Sequence, residues 1–235
     1  MPDDIEQFKA VLGVLDRIGI LGDVVVIGGW AKLLYQEGKV IESPQFSSFR
    51  TQDIDLLLRR PPALKPRGDL TAELEAQGFR KRFNGDGSTF FESLDLDLEF
   101  LIPERSRGDD KPIRVEAIGV EAQSLRLVND LLFDTIFVNY AGFKVNAPDP
   151  IRFCFHKLIL SEERTRPEKR QNDLETALEL GRALAESPAW APQIQGRFKE
   201  LFYKQQKKVL KIGQAQENPA VFGLVATRER AGMER

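Results

Sequence analysis

The sequence predicts an α+β fold, a sheet domain followed by a helical one, on three observations. Strand-like apolar runs, "DVVVI", "DIDLLL" and "LDLDLEFLIP", all fall before residue 148. Asn84-Gly85 between two strand-like runs is a strong hairpin signal. Beyond Pro148 and Pro150 the apolar spacing turns helical throughout. The expected domains are therefore 1–147 and 148–235.

Each element has its own signal. Ile5, Phe8, Val11, Leu12, Leu15 and Ile18 recur at helical spacing over residues 3–19. "DVVVIGG" is a short buried strand ending at a glycine pair, and "WAKLLYQEG" is the helix after it, stopped at Gly38. Residues 38–50 form a loop broken by Pro44 and paired serines. "DIDLLL" is the second strand, and "DLTAELEAQG" a helix capped by Asp69 or Thr71 and stopped by Gly78. "FRKRF", the "NGDGS" turn, "TFFES" and "LDLDLEFLIP" continue the sheet. Short strands are expected in 113–120 and 135–145, around a helix at 123–132. "IRFCFHKLILSEER", "PEKRQNDLETALELGRALAE" and "APQIQGRFKELFYKQQKKVLK" are helices, and the last 20 or so residues are a loosely held tail.

Composition excludes several functions. With 42% hydrophobic and 30% charged residues in 235, the chain is an ordinary globular protein rather than a disordered one. No apolar run approaches the roughly 20 residues of a membrane helix. The acidic, amphipathic start is wrong for a signal peptide, and the single cysteine, Cys154, suits a reducing compartment, so a cytoplasmic protein with no membrane partner is expected. One histidine, His156, rules out a multi-histidine zinc site, and no Walker loop or G-x-S-x-G stands in the chain. Residues 1–150 carry a net −7 and residues 151–235 a net +5. That asymmetry suits a phosphate-bearing ligand gripped between metal ions and cations; solvated helix faces explain it equally well.

The chemistry concentrates in "RTQDIDLLLRR". Alternation along a strand puts Asp53 and Asp55 on one face, roughly 7 Å apart, opposite Ile54, Leu56 and Leu58. "LDLDLEF" repeats the pattern with Asp95, Asp97 and Glu99. Should the two strands be neighbours, three or more carboxylates meet, a set suited to hard divalent cations. Two Mg2+ ions there would activate a hydroxyl and hold an NTP triphosphate. Gly28-Gly29, between a strand and a helix, lets backbone N–H groups approach phosphate oxygens. A close-packing turn is the plainer reading of the glycines, and solvated strand ends that of the aspartates; the order strand–GG, DxD, hEh is more specific than either.

"VIGGWA", "RTQDIDLLL" and "LEFLIP" resemble the motif set of the polymerase β-like nucleotidyltransferase superfamily. The resemblance implies a small mixed sheet flanked by helices, metal-dependent NMP transfer from an NTP, and three acidic metal ligands. "APDPIRFCFHKLILSEERTRPEKRQNDLETALEL" is similar to the helical segment of bacterial AbiEii/MenT-type nucleotidyltransferases. Carried over, Asp53, Asp55 and Glu99 are the metal ligands, with Asp97 able to replace Glu99. Mg2+ is the implied ion and Mn2+ the substitute. Gly28 and Gly29 meet the phosphates, Lys157 holds the triphosphate, and Asp173 supports the metal or the lysine. Arg50 and Arg164 are further phosphate candidates. The gap between Gly29 and Asp53 is longer than the usual version, and glutamate stands where aspartate is usual.

Acceptor candidates are a tRNA 3′ end (toxin-like behaviour, with an antitoxin partner), a protein hydroxyl or a small molecule. The rival outside catalysis is an inactive nucleotide-binding module of the same fold. Lys157, Ser161 and Arg164 recur at i, i+4, i+7 on one helix face, which a solvated stripe also explains. His156 and Trp30 are expected to be packed. Phe198, Phe202 and Tyr203, among the lysines of the last helix, are expected to form a core-facing stripe rather than an RNA-docking surface.

Overall fold

The computed structural model describes residues 2–41, 51–59, 61–104 and 111–215. Arg50, most of the 38–50 loop and the C-terminal tail lie outside the described residues. The described chain forms two compact units, the first ending at Pro148 and the second beginning at Asp149.

In the first unit, α1 (Pro2–Arg17) leads into β1 (Val24–Ile27), whose four residues are all buried. The helix α2 (Gly28–Glu37) follows without a loop and stops at Gly38. Phe8 of α1 stacks on the buried Trp30 ring at 4.1 Å, joining both helices to one core. Then come β2 (Asp53–Leu58), α3 (Leu70–Glu75), β3 (Arg80–Phe83), β4 (Thr89–Glu92) and β5 (Asp97–Pro103). The cap of α3 is Asp69, whose carboxylate accepts from the Thr71 and Ala72 N–H groups.

The sheet is mixed, as the resemblance implied. Its order is β1-β2-β5-β4-β3. β1 runs antiparallel to β2, β2 parallel to β5, and β4 antiparallel to both β5 and β3. The β4 register covers Asp97 to Glu99 of β5. Further along β5, from Leu101 to Pro103, the pairing passes to β7 (Val120–Leu125), which also holds β6 (Ile113–Val115). A separate hairpin of β8 (Ile136–Tyr140) and β9 (Phe143–Ala147) completes the unit.

Residues 123–132 are not the expected helix. Val120, Ala122 and Ser124 are buried in alternation with half-buried neighbours, the period of a strand. Leu127 then adopts φ +66, which no helix interior accepts, and only a 3-10 turn, Val128–Leu132, follows.

In the second unit, Asp149 caps α4 (Pro150–Glu163) by accepting from the Ile151 and Arg152 N–H groups, with Pro150 in the first turn. The helix α5 (Pro167–Glu186) packs against it. One helix was expected over the last stretch, and the chain makes two, α6 (Ile194–Glu200) and α7 (Tyr203–Ala215). At the break the Phe202 N–H donates to Gln205 Oε1, and Gln206 Nε2 donates to the Leu201 carbonyl. The break also overturns the expected aromatic stripe: Phe198 is buried, but Phe202 and Tyr203 are 74% and 67% exposed. His156 is buried, as expected. No helix among the described residues is long and apolar enough to cross a membrane.

Candidate active site

β1 ends at Ile27, which pairs with Asp55 on β2. Gly28 turns the chain directly into α2 at φ +65, where an L side chain is strained. A Cβ on residue 28 would stand 2.2 Å from Asp55 Oδ2, so a glycine is required for the carboxylate to sit beside the turn. Ile27 offers no capping side chain, and the first turn of α2 holds no acidic residue. The positive end of that helix therefore meets no carboxylate of its own first turn.

The acids come together through register. Parallel pairing sets Asp53 against Asp97 and Asp55 against Glu99, and cross-strand partners project to the same face. Ile54, Leu56, Leu98 and Phe100 fill the other face and are fully buried. Asp95 drops out of the set. The chain bends before β5, Ser93 Oγ donates to the Leu96 carbonyl, and the Asp95 carboxylate instead accepts from Gln7 Nε2 at 3.4 Å.

The carboxylates feel one another. Burial, then Asp53 and Glu92, raises the Asp97 carboxyl above its ordinary range. Burial raises Glu99 as well, with Asp53, Asp97 and Asp86 adding to it and a hydrogen bond from Asn84 opposing it. Among the described residues, no three His, Cys, Asp or Glu side chains converge on one point as a metal cage.

The set fits a hard divalent ion in donor chemistry. All its donors are carboxylate oxygens, at half-buried or exposed positions, and their mutual repulsion is what a cation relieves. Asp53, Asp55 and either Asp97 or Glu99 would hold it.

Several residues on this face carry no signal in the sequence reading. The register places Phe90 beside Glu99 and Glu92 beside Asp97, with Arg82 and Arg80 next across on β3. Arg82 Nε pairs with Glu92 at 3.2 Å. Asn84 Nδ2 reaches Glu99 Oε1 at 3.3 Å. The "FRKRF" strand and the "NGDGS" turn were legible, but their nearness to the acids follows only from the pairing.

In the second unit, Lys157 and Arg164 of α4 and its end converge on the buried Asp173 of α5, at 2.6 and 3.0 Å. The three expected partners thus form one cluster with an excess positive charge. Ser161, on the same helix face, is buried and donates to the Leu158 carbonyl.

A family model described as Nucleotidyltransferase matches residues 6–193. The chain belongs to that nucleotidyltransferase family. It is an enzyme of the transferase class, whose general activity is NMP transfer from an NTP. No curated protein matches this nucleotidyltransferase. Among solved structures it is similar to the antibiotic-resistance factor ANT(2″)-Ia in solution, at 14% identity over 92% of this chain and 98% of that one, with a TM-score of 0.47. It is also similar to an antigenic nucleotidyltransferase-like protein from Paracoccidioides brasiliensis, at 13% identity over 91% and 89%, TM-score 0.49. A third is ANT(2″)-Ia in complex with adenylyl-2″-tobramycin, at 14% over 75% and 88%, TM-score 0.40.

Proposed function

We propose that this nucleotidyltransferase uses Mg2+, with Mn2+ as a substitute, and that Asp53, Asp55 and Glu99 are its metal ligands. The observation that carries the reading is the parallel pairing of the two acid-bearing strands, Asp53 with Asp97 and Asp55 with Glu99. The Gly28-Gly29 turn holds the triphosphate, its N–H groups donating to phosphate oxygens at the start of α2. Bound divalent ions would neutralise phosphate charge and lower the pKa of the acceptor hydroxyl. The acceptor oxygen attacks the α-phosphorus as the bond to the bridging oxygen breaks. Pyrophosphate leaves, and the hydroxyl proton passes to a carboxylate of the cluster. Lys157 and Arg164 are assigned to the triphosphate on their charge, and Asp173 to orienting them.

For the acceptor, the reading is a tRNA 3′ end, in the manner of the AbiEii/MenT-type enzymes, with toxin-like behaviour and an antitoxin partner as its corollaries. The support is the exposed Phe202 and Tyr203 at the start of α7, with Lys207 Nζ 4.6 Å from the Tyr203 ring centroid and exposed Lys199 and Lys204 nearby. Rings that can stack on bases beside cations that meet phosphates suit single-stranded RNA.

The test uses α-labelled NTPs and Mg2+ with total tRNA and, separately, an aminoglycoside panel. The full chain labels tRNA, and Asp53→Asn or Asp55→Asn lowers labelling by at least about 1000-fold with the melting temperature retained. Wild-type turnover in either variant overturns the site. Label on the aminoglycosides alone overturns the acceptor.

A further inference from the structure

The "NGDGS" turn does more than join two strands. Its loop is closed by two backbone bonds, the Asn84 N–H donating to the Ser88 carbonyl at 2.8 Å and the Gly87 N–H to the Asn84 carbonyl at 2.9 Å, and by the Asp86 carboxylate, which accepts from Ser88. The Asn84 side chain makes no Asx turn of its own to a backbone N–H, and its amide reaches side chains instead. It donates to Ser88 Oγ at 3.0 Å and to Glu99 Oε1 at 3.3 Å.

The direction of these bonds is fixed by chemistry. Ser88 is fully buried, and both its N–H and its hydroxyl donate to Asp86 Oδ1, at 2.9 and 2.7 Å. The Ser88 oxygen can then only accept from Asn84, and the Glu99 carboxylate can only accept too. The NH2 side of the Asn84 amide must face both; a flipped amide would set its carbonyl against two acceptors. The Asn84 NH2 group thus donates both ways, to Ser88, which passes its own proton on to Asp86, and to one oxygen of Glu99, whose other oxygen is left for a ligand.

We propose that Asn84 is the positioning residue for Glu99, holding its carboxylate in the orientation that lets it, rather than Asp97, serve as the third metal ligand; this rests on the metal site proposed above. A glutamate has three rotatable bonds and loses side-chain entropy when it is fixed. Asn84 fixes it before the ion arrives. Partners behind metal ligands of this kind typically set metal affinity by a factor of about 10–100.

The experiment measures Mn2+ binding to the full chain by electron paramagnetic resonance, with α,β-methylene-ATP present, and the affinity for that nucleotide separately without metal. Asn84→Ala weakens Mn2+ binding about 10–100-fold and leaves the metal-free nucleotide affinity within about twofold. Asn84→Ser keeps a turn-forming residue too short to reach Glu99 and gives the same loss, which covers the case that the alanine variant folds poorly. Ser88→Ala loosens the turn but keeps the bond to Glu99 and costs under about threefold. In a Glu99→Gln background, Asn84→Ala adds nothing. The proposal is overturned if Ser88→Ala costs as much as Asn84→Ala, or if Asn84→Ala keeps its full effect without the Glu99 carboxylate. Asp53→Asn separates the two readings. Unchanged Mn2+ affinity in that variant removes the metal site itself, whereas a loss there with none in Asn84→Ala removes only the role of Asn84.

Discussion

Gly28 occupies a position where any side chain would strike the carboxylate it adjoins. A methyl group there meets Asp55 Oδ2 at 2.2 Å, on a backbone at φ +65. Gly28→Ala therefore carries a left-handed penalty of about 1–2 kcal/mol and also displaces Asp55. The expected outcome is a melting temperature lowered by several degrees and turnover lowered by more than about tenfold, read by calorimetry and pyrophosphate release. Glu99 makes the opposite point. Burial and the neighbouring Asp53 and Asp97 raise its carboxyl, so in metal-free buffer near neutral pH its charge opposes folding. Folded Glu99 holds its proton to higher pH than unfolded Glu99, so this loss of stability sets in as pH rises from the ordinary glutamate value through the raised one. Glu99→Gln is expected to raise the metal-free melting temperature at pH 7 and to leave it unchanged near pH 3, in paired thermal melts. A variant that melts no higher at pH 7 would show that burial and the neighbouring carboxylates together do not penalise the Glu99 charge.

At the scale of elements, β8 and β9 meet through Ala141-Gly142, both at positive φ, 50 and 85. That is the pattern of a tight turn that favours Asn before Gly. Ala141→Asn should stabilise the first unit by about 0.5–1 kcal/mol, or about 1–4 °C in thermal melts. The helix pair of the second unit carries the converse case. Asp173 is buried between Lys157 and Arg164, and Asp173→Ala strands the largely buried Lys157 charge at a cost of about 3 kcal/mol, measured by denaturant unfolding. Much of this was legible in the sequence because the signals are local: the Asp69 cap, the Asn84-Gly85 turn, and the alternation that puts Asp53 and Asp55 together. The helix expected at 123–132 is replaced by the end of a strand and a 3-10 turn, because residues 120–125 are buried in alternation. The break between α6 and α7 has no glycine or proline to announce it. It is made by Gln205 and Gln206 side chains bonding to backbone groups, and periodicity does not report that. The link from Asn84 to Glu99 was hidden for a different reason, because it depends on which strands pair.

For the whole molecule, the sole thiol provides an internal gauge. Cys154 is fully buried in the second unit, donates to the Ala177 carbonyl, and has its pKa pushed up to about 12 by burial. The native thiol should be inert to Ellman's reagent at pH 8 and react only at the rate at which that unit opens, with labelling accelerated in Asp173→Ala. Because the unfolded thiol ionises near 9.0 and the folded one near 12, unfolding releases a proton in that window, and stability falls as pH rises from about 9 to about 12.

The pairing of β2 with β5 also limits how the chain can vary. At the start of each strand apolar residues, Ile54, Leu56, Leu98 and Phe100, lie on one side and the acids on the other, so deleting one residue there would swap the two sides. The same pairing that buries the core therefore holds the acids in line, and a one-residue deletion in either strand would cost both at once.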